Sequence, residues 1–247
     1  MKKILFLSVL VIFCLESGFA QTVEKEDGSY VSVDGASYDF IFSWDKKKNK
    51  KSNKTIHWEA LGFAFSGLDG LNSFEGVELK KSMSYSVRLG LGGMYHTFGE
   101  HWGMGLGLGF DWTRYHFIGN VSLRDINGIA DFEFDPEGRQ YKDSKALIYY
   151  LTLPLTLEYQ TEKFYVNGSV EGLLKLYSKS KIEVRTADGI RKENLGGFNF
   201  FPLTARFVLR TGFSKFGVFG YYQPFPLFQK GKGPELYPFG VGISLNF

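Results

Sequence analysis

The fold class is indicated most clearly by residues 102–113, Trp102-Gly103-Met104-Gly105-Leu106-Gly107-Leu108-Gly109-Phe110-Asp111-Trp112-Thr113. Large apolar residues occupy every second position, and small or polar residues occupy the positions between them. Successive side chains of a β-strand point to opposite faces, so the stretch predicts a strand with one apolar face and one small or polar face. Trp at both ends of the apolar face is typical of a barrel whose exterior contacts lipid.

The same period of two recurs along the chain. In a later segment, Leu151, Leu153 and Leu155 alternate with Thr152 and Thr156. Short alternating segments separated by polar connections indicate β-strands rather than helices. We predict an all-β fold, a single eight-stranded antiparallel transmembrane β-barrel with up-and-down meander topology. The predicted strands are residues 56–66, 83–96, 102–117, 147–159, 164–178, 199–213, 216–228 and 236–247.

The predicted connections alternate in length. Those at 97–101, 160–163 and 214–215 are short, whereas those at 67–82, 118–146 and 179–198 are long. Bacterial outer-membrane barrels join their strands by short periplasmic turns and longer external loops, so both chain termini are expected in the periplasm. Residues 38–44 also alternate and can form a strand. As a ninth strand of the barrel it is disfavoured, because the count is then odd unless a tenth strand lies in a long loop.

Two features conflict with a simple assignment of the strands. Proline removes a donor from the hydrogen-bond ladder, so each proline in a predicted strand requires a bulge or a strand end. The prolines concerned are Pro154, Pro202, Pro224, Pro226 and Pro238.

The orientation of the first strand is also ambiguous, because it can face either way around Trp58.

The N-terminus has the pattern of a secretory signal peptide. Lys2 and Lys3 precede an apolar run at residues 4–15, and small residues follow at Gly18 and Ala20. This order of charge, apolar run and small residues predicts export and cleavage after Ala20. The apolar run is shorter than the roughly 20 residues that a membrane-spanning helix needs.

Residues 1–20 include Cys14, the only cysteine. Attachment of a lipid to Cys14 is an alternative that the bulky preceding Phe13 disfavours. Without residues 1–20 the chain has no thiol for a disulfide, a metal thiolate or a Cys nucleophile. Residues 21–54 are predicted to form a periplasmic N-terminal extension with a Lys-rich linker, and residues 55–247 the barrel.

The composition of the Lys-rich linker favours its interpretation as a hydrated spacer. Contact with anionic lipid phosphates or cell-wall polymer is the alternative. Nucleic acid is not an expected partner of an exported chain.

Charged residues lie on the predicted inward face of several strands. The interior of an eight-stranded barrel is just wide enough to be filled by side chains, which disfavours a wide pore. Unpaired buried charges are costly, so we predict that Arg88 pairs with Asp111 and that Glu171 pairs with Arg206. The predicted lumen network comprises Arg88, Asp111, Glu158, Glu171, Lys175, Arg206 and Arg210. We interpret it as a structural plug, with a proton or ion path as the alternative.

No catalytic, cofactor-binding or metal site is predicted. His116, placed near Asp111 and Arg114, is the best candidate for acid–base chemistry. The alternating glycines at 103–109 lie on a strand and open no helix, so they form no phosphate-binding loop. Two alternative functions stay open: a barrel enzyme that modifies lipid A, and a narrow channel.

The predicted external loop 118–146 is rich in acidic residues. Carboxylates on such loops can bind divalent cations that bridge lipopolysaccharide phosphates, although no ligand spacing here is specific. Phe132, Phe134 and Tyr141 among the acids indicate an ordered hairpin at 121–134.

The chain ends in Gly240-Val241-Gly242-Ile243-Ser244-Leu245-Asn246-Phe247, with Phe247 on the lipid-facing parity. This ending resembles the signal read by the barrel assembly machinery. Together with Tyr150-Leu151-Thr152-Leu153-Pro154-Leu155 and His57-Trp58-Glu59-Ala60-Leu61-Gly62-Phe63, it makes most of residues 55–247 resemble the PorT-like outer-membrane β-barrel family.

This resemblance implies an outer-membrane location. The expected partners are outer-membrane lipid and lipopolysaccharide, the barrel assembly machinery and an envelope protein. The predicted function is that of a non-enzymatic barrel with a plugged interior in envelope structure, in adhesion, or as an accessory subunit of an envelope or export complex.

Overall fold

Antiparallel strands make up most of the described chain. The computed structural model describes residues 39–42, 56–98, 100–135, 138–186, 189–195 and 198–246. Two short 3-10 turns, Leu71–Ser73 and Lys81–Met83, lie between the second and third strands, and no helix in the described part is long and apolar enough to cross a bilayer. The strands are β1 Asp39–Phe42, β2 Glu59–Asp69, β3 Tyr85–Phe98, β4 Trp102–His116, β5 Val121–Ile126, β6 Ile129–Phe134, β7 Tyr141–Gln160, β8 Phe164–Thr186, β9 Gly189–Asn194, β10 Leu203–Phe213, β11 Phe216–Tyr222 and β12 Tyr237–Asn246.

Eight of these strands close into a ring. Its order is β2, β3, β4, β7, β8, β10, β11 and β12, and β12 pairs back to β2 with Ile243 opposite Phe63. Every pairing in the ring is antiparallel, and strands that follow one another in the ring follow one another in the chain. The predicted eight-stranded up-and-down barrel is confirmed.

The exterior of the ring carries an apolar band between two levels of aromatic residues. On β4, Trp102 contacts Tyr159 at one level, and Trp112 stacks on Tyr149 at the other. These two tryptophans are ten residues apart, which corresponds to about 25 Å along the barrel axis for a strand tilted by about 40°. Exposed apolar residues of the exterior include Leu61, Phe63, Leu89, Met104, Leu108, Phe110, Leu155, Leu157, Phe207, Leu209, Val218, Val241 and Ile243.

Four strands lie outside the ring. β5 and β6 form a hairpin, and β9 pairs with β8 where β8 continues beyond the ring. β1 lies within the alternating residues 38–44 and pairs with β3 from Gly92 to Tyr95. β2 pairs with β3 only from Tyr85 to Leu89, so β1 joins a part of the β3 edge that β2 leaves open and the ring count stays at eight.

Several predicted boundaries were wrong. The predicted loop 179–198 contains the end of β8 and all of β9, because the two strands continue their alternation as a hairpin. The seventh predicted strand ends early, and Pro224 and Pro226 lie beyond β11. Pro154 lies inside β7, where the β4–β7 pairing is interrupted opposite residues 107–108. Pro202 precedes β10, and Pro238 is the second residue of β12.

Candidate functional site

The segment that precedes β2 enters the barrel lumen. Residues 56–58, called the plug below, were predicted as part of the first strand, but the structure begins that strand at Glu59. Ile56 and Trp58 are buried together with Tyr95 of β3. Trp58 therefore faces inward.

The glycine-rich face of β4 makes room for the plug. A Cβ atom on Gly105 would lie 2.3 Å from Ile56 Cδ1 and 2.7 Å from the Trp58 ring. A Cβ atom on Gly107 would lie 2.6 Å from the same ring. Contacts this short require the neighbouring atoms to move, so alternating glycine on β4 is a packing requirement of the plug.

His57 fixes the plug to the barrel wall. Its backbone N–H donates to both carboxylate oxygens of Glu158 at 3.1 Å, and its Nδ1 lies 2.8 Å from Glu158 Oε1. Asn167 Nδ2 also donates to Glu158 at 2.9 Å, and the His57 ring stacks on Tyr165 with centroids 4.0 Å apart. Glu158 is fully buried, and these donors compensate its loss of hydration.

Charged side chains form an alternating chain of ion pairs above the plug. Its order is Arg210, Glu59, Arg88, Glu171, Arg206 and Asp111, with each residue paired to the next. Arg88 Nε lies 3.1 Å from Glu59 Oε1, and Arg206 Nε lies 2.7 Å from Glu171 Oε2. Arg206 Nη1 lies 2.6 Å from Asp111 Oδ2. Three guanidinium groups thus balance three carboxylates.

The partners of Arg88 differ from the prediction. Arg88 and Asp111 are opposite each other in the β3–β4 register, but Arg88 pairs with Glu59 and Glu171, and Asp111 pairs with Arg206. Glu59 lies on the neighbouring strand β2, whereas Glu171 lies on β8 across the lumen, because a long arginine side chain spans the narrow interior. Glu171 and Arg206 are opposite in register and lie together in the structure.

Glu59 belongs to the chain of ion pairs but was absent from the predicted lumen network. Alternation counted back from Leu61, which is outward, places Glu59 outside the barrel. The β12–β2 register changes from Leu245 opposite Leu61 to Asn246 opposite Glu59, so Ala60 is an extra residue in β2. Such a β-bulge reverses the parity and turns the carboxylate inward. In the sequence, the one indication of this reversal was that the first predicted strand could face either way around Trp58.

Lys175 lies outside the ion-pair chain, in contrast to the prediction. Its Nζ donates to the backbone carbonyls of Phe198 and Phe200, each at 3.2 Å. A cavity of about 30 Å³ is lined by Trp58, Glu59 and Arg88, and it has room for about one water molecule. The lumen is therefore filled from the plug to the ion-pair chain.

The long-loop end of the barrel is closed by an apolar cluster, called the cap below. The β5–β6 hairpin, with an Asn127-Gly128 turn in the left-handed region, is its central element. Phe132 on the hairpin contacts Phe74 and Phe117 with ring centroids 5.4 and 5.3 Å apart. The buried residues of the cap are Leu68, Leu71, Val77, Tyr115, Phe117, Val121, Leu123, Ala130, Ala146, Ile148, Tyr150, Leu173, Phe198, Phe200, Leu227, Phe228 and Leu236.

The hairpin crosses the barrel mouth. It connects β4 to β7, but Ala130 N–H donates to the Lys232 carbonyl in the β11–β12 connection at 2.9 Å. Asn199, which lies before β10, donates from Nδ2 to the Gly128 carbonyl at 3.1 Å. These strands lie on the opposite side of the ring from β4, so the hairpin spans the mouth and is tied at both sides.

His116 lies on the outer face of the barrel at the long-loop end. Its Nδ1 is 2.8 Å from Asp143 Oδ1, and Arg114 Nη2 is 3.1 Å from the same nitrogen. Asp111 points into the lumen, so the predicted grouping of His116 with Asp111 was wrong. Burial holds the pKa of His116 below its usual value, Asp143 acts in the opposite direction, and Arg114 and Lys80 add to the lowering.

Other predicted features lie outside the described residues: the leader at 1–20, the Lys-rich linker and Phe247. Within the described residues, no group of three or more His, Cys, Asp or Glu side chains is arranged to hold a metal ion.

No family model matches the chain. No curated protein matches it either. One solved structure that aligns with it is Ail, the attachment invasion locus protein of Yersinia pestis, in complex with the heparin analogue sucrose octasulfate. The alignment covers 76% of this chain and 95% of Ail, with 12% sequence identity and a TM-score of 0.32. At that level of similarity we infer nothing from Ail about function, and the barrel assignment rests on the strand pairings above.

Proposed function

We propose that this chain is a non-enzymatic, non-conducting outer-membrane barrel that acts through the folded surface at its long-loop end. The observation that carries the proposal is the β5–β6 hairpin, which crosses the barrel mouth and is tied to Lys232 and Asn199 on the far side. With the plug and the ion-pair chain below it, this cap leaves the lumen filled at three levels. A filled lumen suits a scaffold and not a solute path.

The apolar exterior supports the location. A band about 25 Å tall between two aromatic levels matches the lipid-contacting surface of outer-membrane barrels. The long-loop end then faces outward, and the short turns face the periplasm. Cleavage after Ala20, recognition of Phe247 by the barrel assembly machinery and membership of the PorT-like family belong to the same proposal, and they rest on the sequence motifs.

The surface at the long-loop end supports a role in envelope structure, adhesion or complex assembly. β8 continues nine residues past Tyr177 of the aromatic level, to Thr186, and pairs there with both β7 and β9. A paired sheet of this length places a rigid face about 20 Å above the apolar band for strands tilted by about 40°. Rigid loops with fixed hairpins suit binding of a partner without a large ordering cost.

Conductance of the refolded protein in a planar bilayer tests the proposal. Wild type is expected to show no steady conductance. A porin with a water-filled lumen, recorded in the same bilayer, serves as the positive control for conductance. Steady wild-type currents would contradict the proposal and support the channel alternative. Turnover of lipid A that His116→Ala abolishes would replace it with the enzyme alternative.

The proposed partner is tested on native outer membranes. The tagged protein is purified in mild detergent, and its heat-dependent gel mobility and the proteins that elute with it are recorded. A stoichiometric envelope protein supports the subunit role. Elution alone supports adhesion or a self-sufficient structural role, and absence from the outer membrane contradicts the location.

A further inference from the structure

Basic side chains are concentrated on the outer face of three adjacent strands, directly beyond one aromatic level. Trp112 of β4, Tyr149 of β7 and Tyr177 of β8 lie in one row of the register. The next row contains Arg114 and Lys179, and the row after that contains His116, Lys145 and Lys181. Each row adds about 6.6 Å along the strand, so these groups lie about 5–10 Å above the aromatic level.

One carboxylate serves most of these cations. Asp143 contacts Lys145, His116 at 2.8 Å and Arg114 at 3.4 Å. Lys179 and Lys181 have no carboxylate within 4 Å in the described part of the chain, and Lys179 Nζ lies 5.4 Å from the Tyr177 ring centroid. Lys80 lines a cavity of about 180 Å³ together with His116.

Like charges are opposed in this surface. Lys145 and Lys181 are directly opposite in the β7–β8 register, an arrangement that destabilises a sheet. Asp143 contacts Lys145, and no described carboxylate lies within 4 Å of Lys181. Lys181 also contacts Lys179, and a side-chain hydrogen bond with Lys179 together with charge repulsion lowers the pKa of Lys181. Extension of single lysines toward water explains isolated basic residues above a lipid band, but it does not explain why they are placed opposite one another.

We propose that the cationic patch, defined as Lys80, Arg114, Lys145, Lys179 and Lys181, binds the phosphate groups of a phosphorylated lipid in the outer leaflet. The inference rests on the proposed function, which places the long-loop end outward. A lipid is the source because the patch lies on the outer wall, directly above residues that contact lipid, at the height of headgroups. Among the described residues, Asp143 is the one carboxylate within 4 Å of these five cations, and Glu183 in the next row pairs with Lys192 instead. The remaining excess of positive charge is one that phosphate groups neutralise.

Binding of a bisphosphorylated lipid A by the folded full-length protein tests the inference. Wild type in mixed micelles of a neutral detergent is titrated with the lipid, and the dissociation constant is measured at low and high salt. The patch variant carries Lys145→Gln, Lys179→Gln and Lys181→Gln. The matched control carries Lys163→Gln, Lys215→Gln and Lys230→Gln, three exposed lysines elsewhere on the chain.

The patch variant is expected to bind about a hundredfold more weakly than wild type, because each lysine at an anionic lipid surface contributes about fivefold. The control variant is expected to stay within about twofold, and high salt is expected to weaken wild-type binding. Heat-dependent gel mobility confirms that each variant is folded. If the triple variant does not fold, Lys179→Gln with Lys181→Gln keeps the Lys145–Asp143 pair and is expected to weaken binding about 25-fold.

Three results would overturn the inference. Equal binding by the patch and control variants would show that the patch does not recognise the lipid. Equal binding of a dephosphorylated lipid would show that phosphate is not the recognised group. Tight binding of inorganic phosphate or a soluble sulfated glycan with the same dependence on the patch would indicate a soluble anion as the ligand. Conductance and membrane location are measured separately, so failure of this inference leaves the proposed function intact, and failure of the proposed function is visible in those measurements.

Discussion

The Nδ1 atom of His57 lies 2.8 Å from Oε1 of Glu158, although the two residues are 101 positions apart in the chain. This contact joins the segment before the first ring strand to the wall of β7. The packing of the lumen therefore depends on His57, which precedes the first ring strand.

Removal of the Glu158 carboxylate is expected to destabilise the barrel. Glu158→Ala leaves the His57 N–H and the Asn167 amide without their buried acceptor, which costs about 1–3 kcal/mol. The folded fraction is measured by gel mobility as a function of urea. Glu162→Ala, in an exposed turn, is the control and is expected to leave the urea midpoint unchanged. Equal midpoints for both variants would contradict the proposed anchoring of the plug.

Any side chain larger than glycine at position 105 is expected to destabilise the barrel while Trp58 is present. Gly105→Ala places its Cβ 2.3 Å from Ile56 Cδ1, so it lowers the urea midpoint or prevents folding. Gly168→Ala is the matched control because a Cβ atom there meets nothing within 4 Å. Trp58→Ala combined with Ile56→Ala is expected to restore folding of the Gly105→Ala variant. A Gly105→Ala variant that is as stable as the control would exclude the packing requirement.

The order of the ion-pair chain predicts which double substitution is tolerated. Arg206→Met alone leaves Asp111 unpaired and is expected to cost about 3–5 kcal/mol. Arg206→Met with Asp111→Leu removes the terminal pair and leaves a neutral chain of four, so it is expected to recover most of that loss. Arg206→Met with Glu171→Leu interrupts the chain and recovers less, because Asp111 stays unpaired. Equal urea midpoints for the two double variants would contradict the observed order.

His116 is expected to titrate below its usual pKa. The unfolded chain then takes up this proton first as the pH falls, so His116 lowers stability on acidification below about pH 6.5 and has no effect at higher pH. The imidazole titration is measured by NMR on the folded protein in micelles. Asp143→Asn removes the group that raises the pKa and is expected to move the midpoint lower. A midpoint that rises in Asp143→Asn would show that Asp143 is not the partner of the imidazolium.

Much of the fold was predictable because strand alternation is a local property. Trp102 to Thr113 reveals its two faces without reference to any other strand, and the same pattern elsewhere indicates the eight ring strands and the apolar exterior. The inward position of Arg88, Asp111, Glu171 and Arg206 follows from the same parity.

Local alternation is therefore enough to predict the closed barrel, its apolar outer face and the presence of charges in its lumen. The pairing of these charges depends on the folded chain, because Arg88 reaches Glu171 and Arg206 reaches Asp111 across the lumen, on strands that are not neighbours. The folded chain also decides the position of Glu59, since one extra residue in β2 reverses a parity that local alternation assigns. Three further features depend on contacts between segments that are distant in the chain, and local alternation therefore does not predict them. They are the plug, the hairpin across the mouth and the opposed lysines on the outer wall.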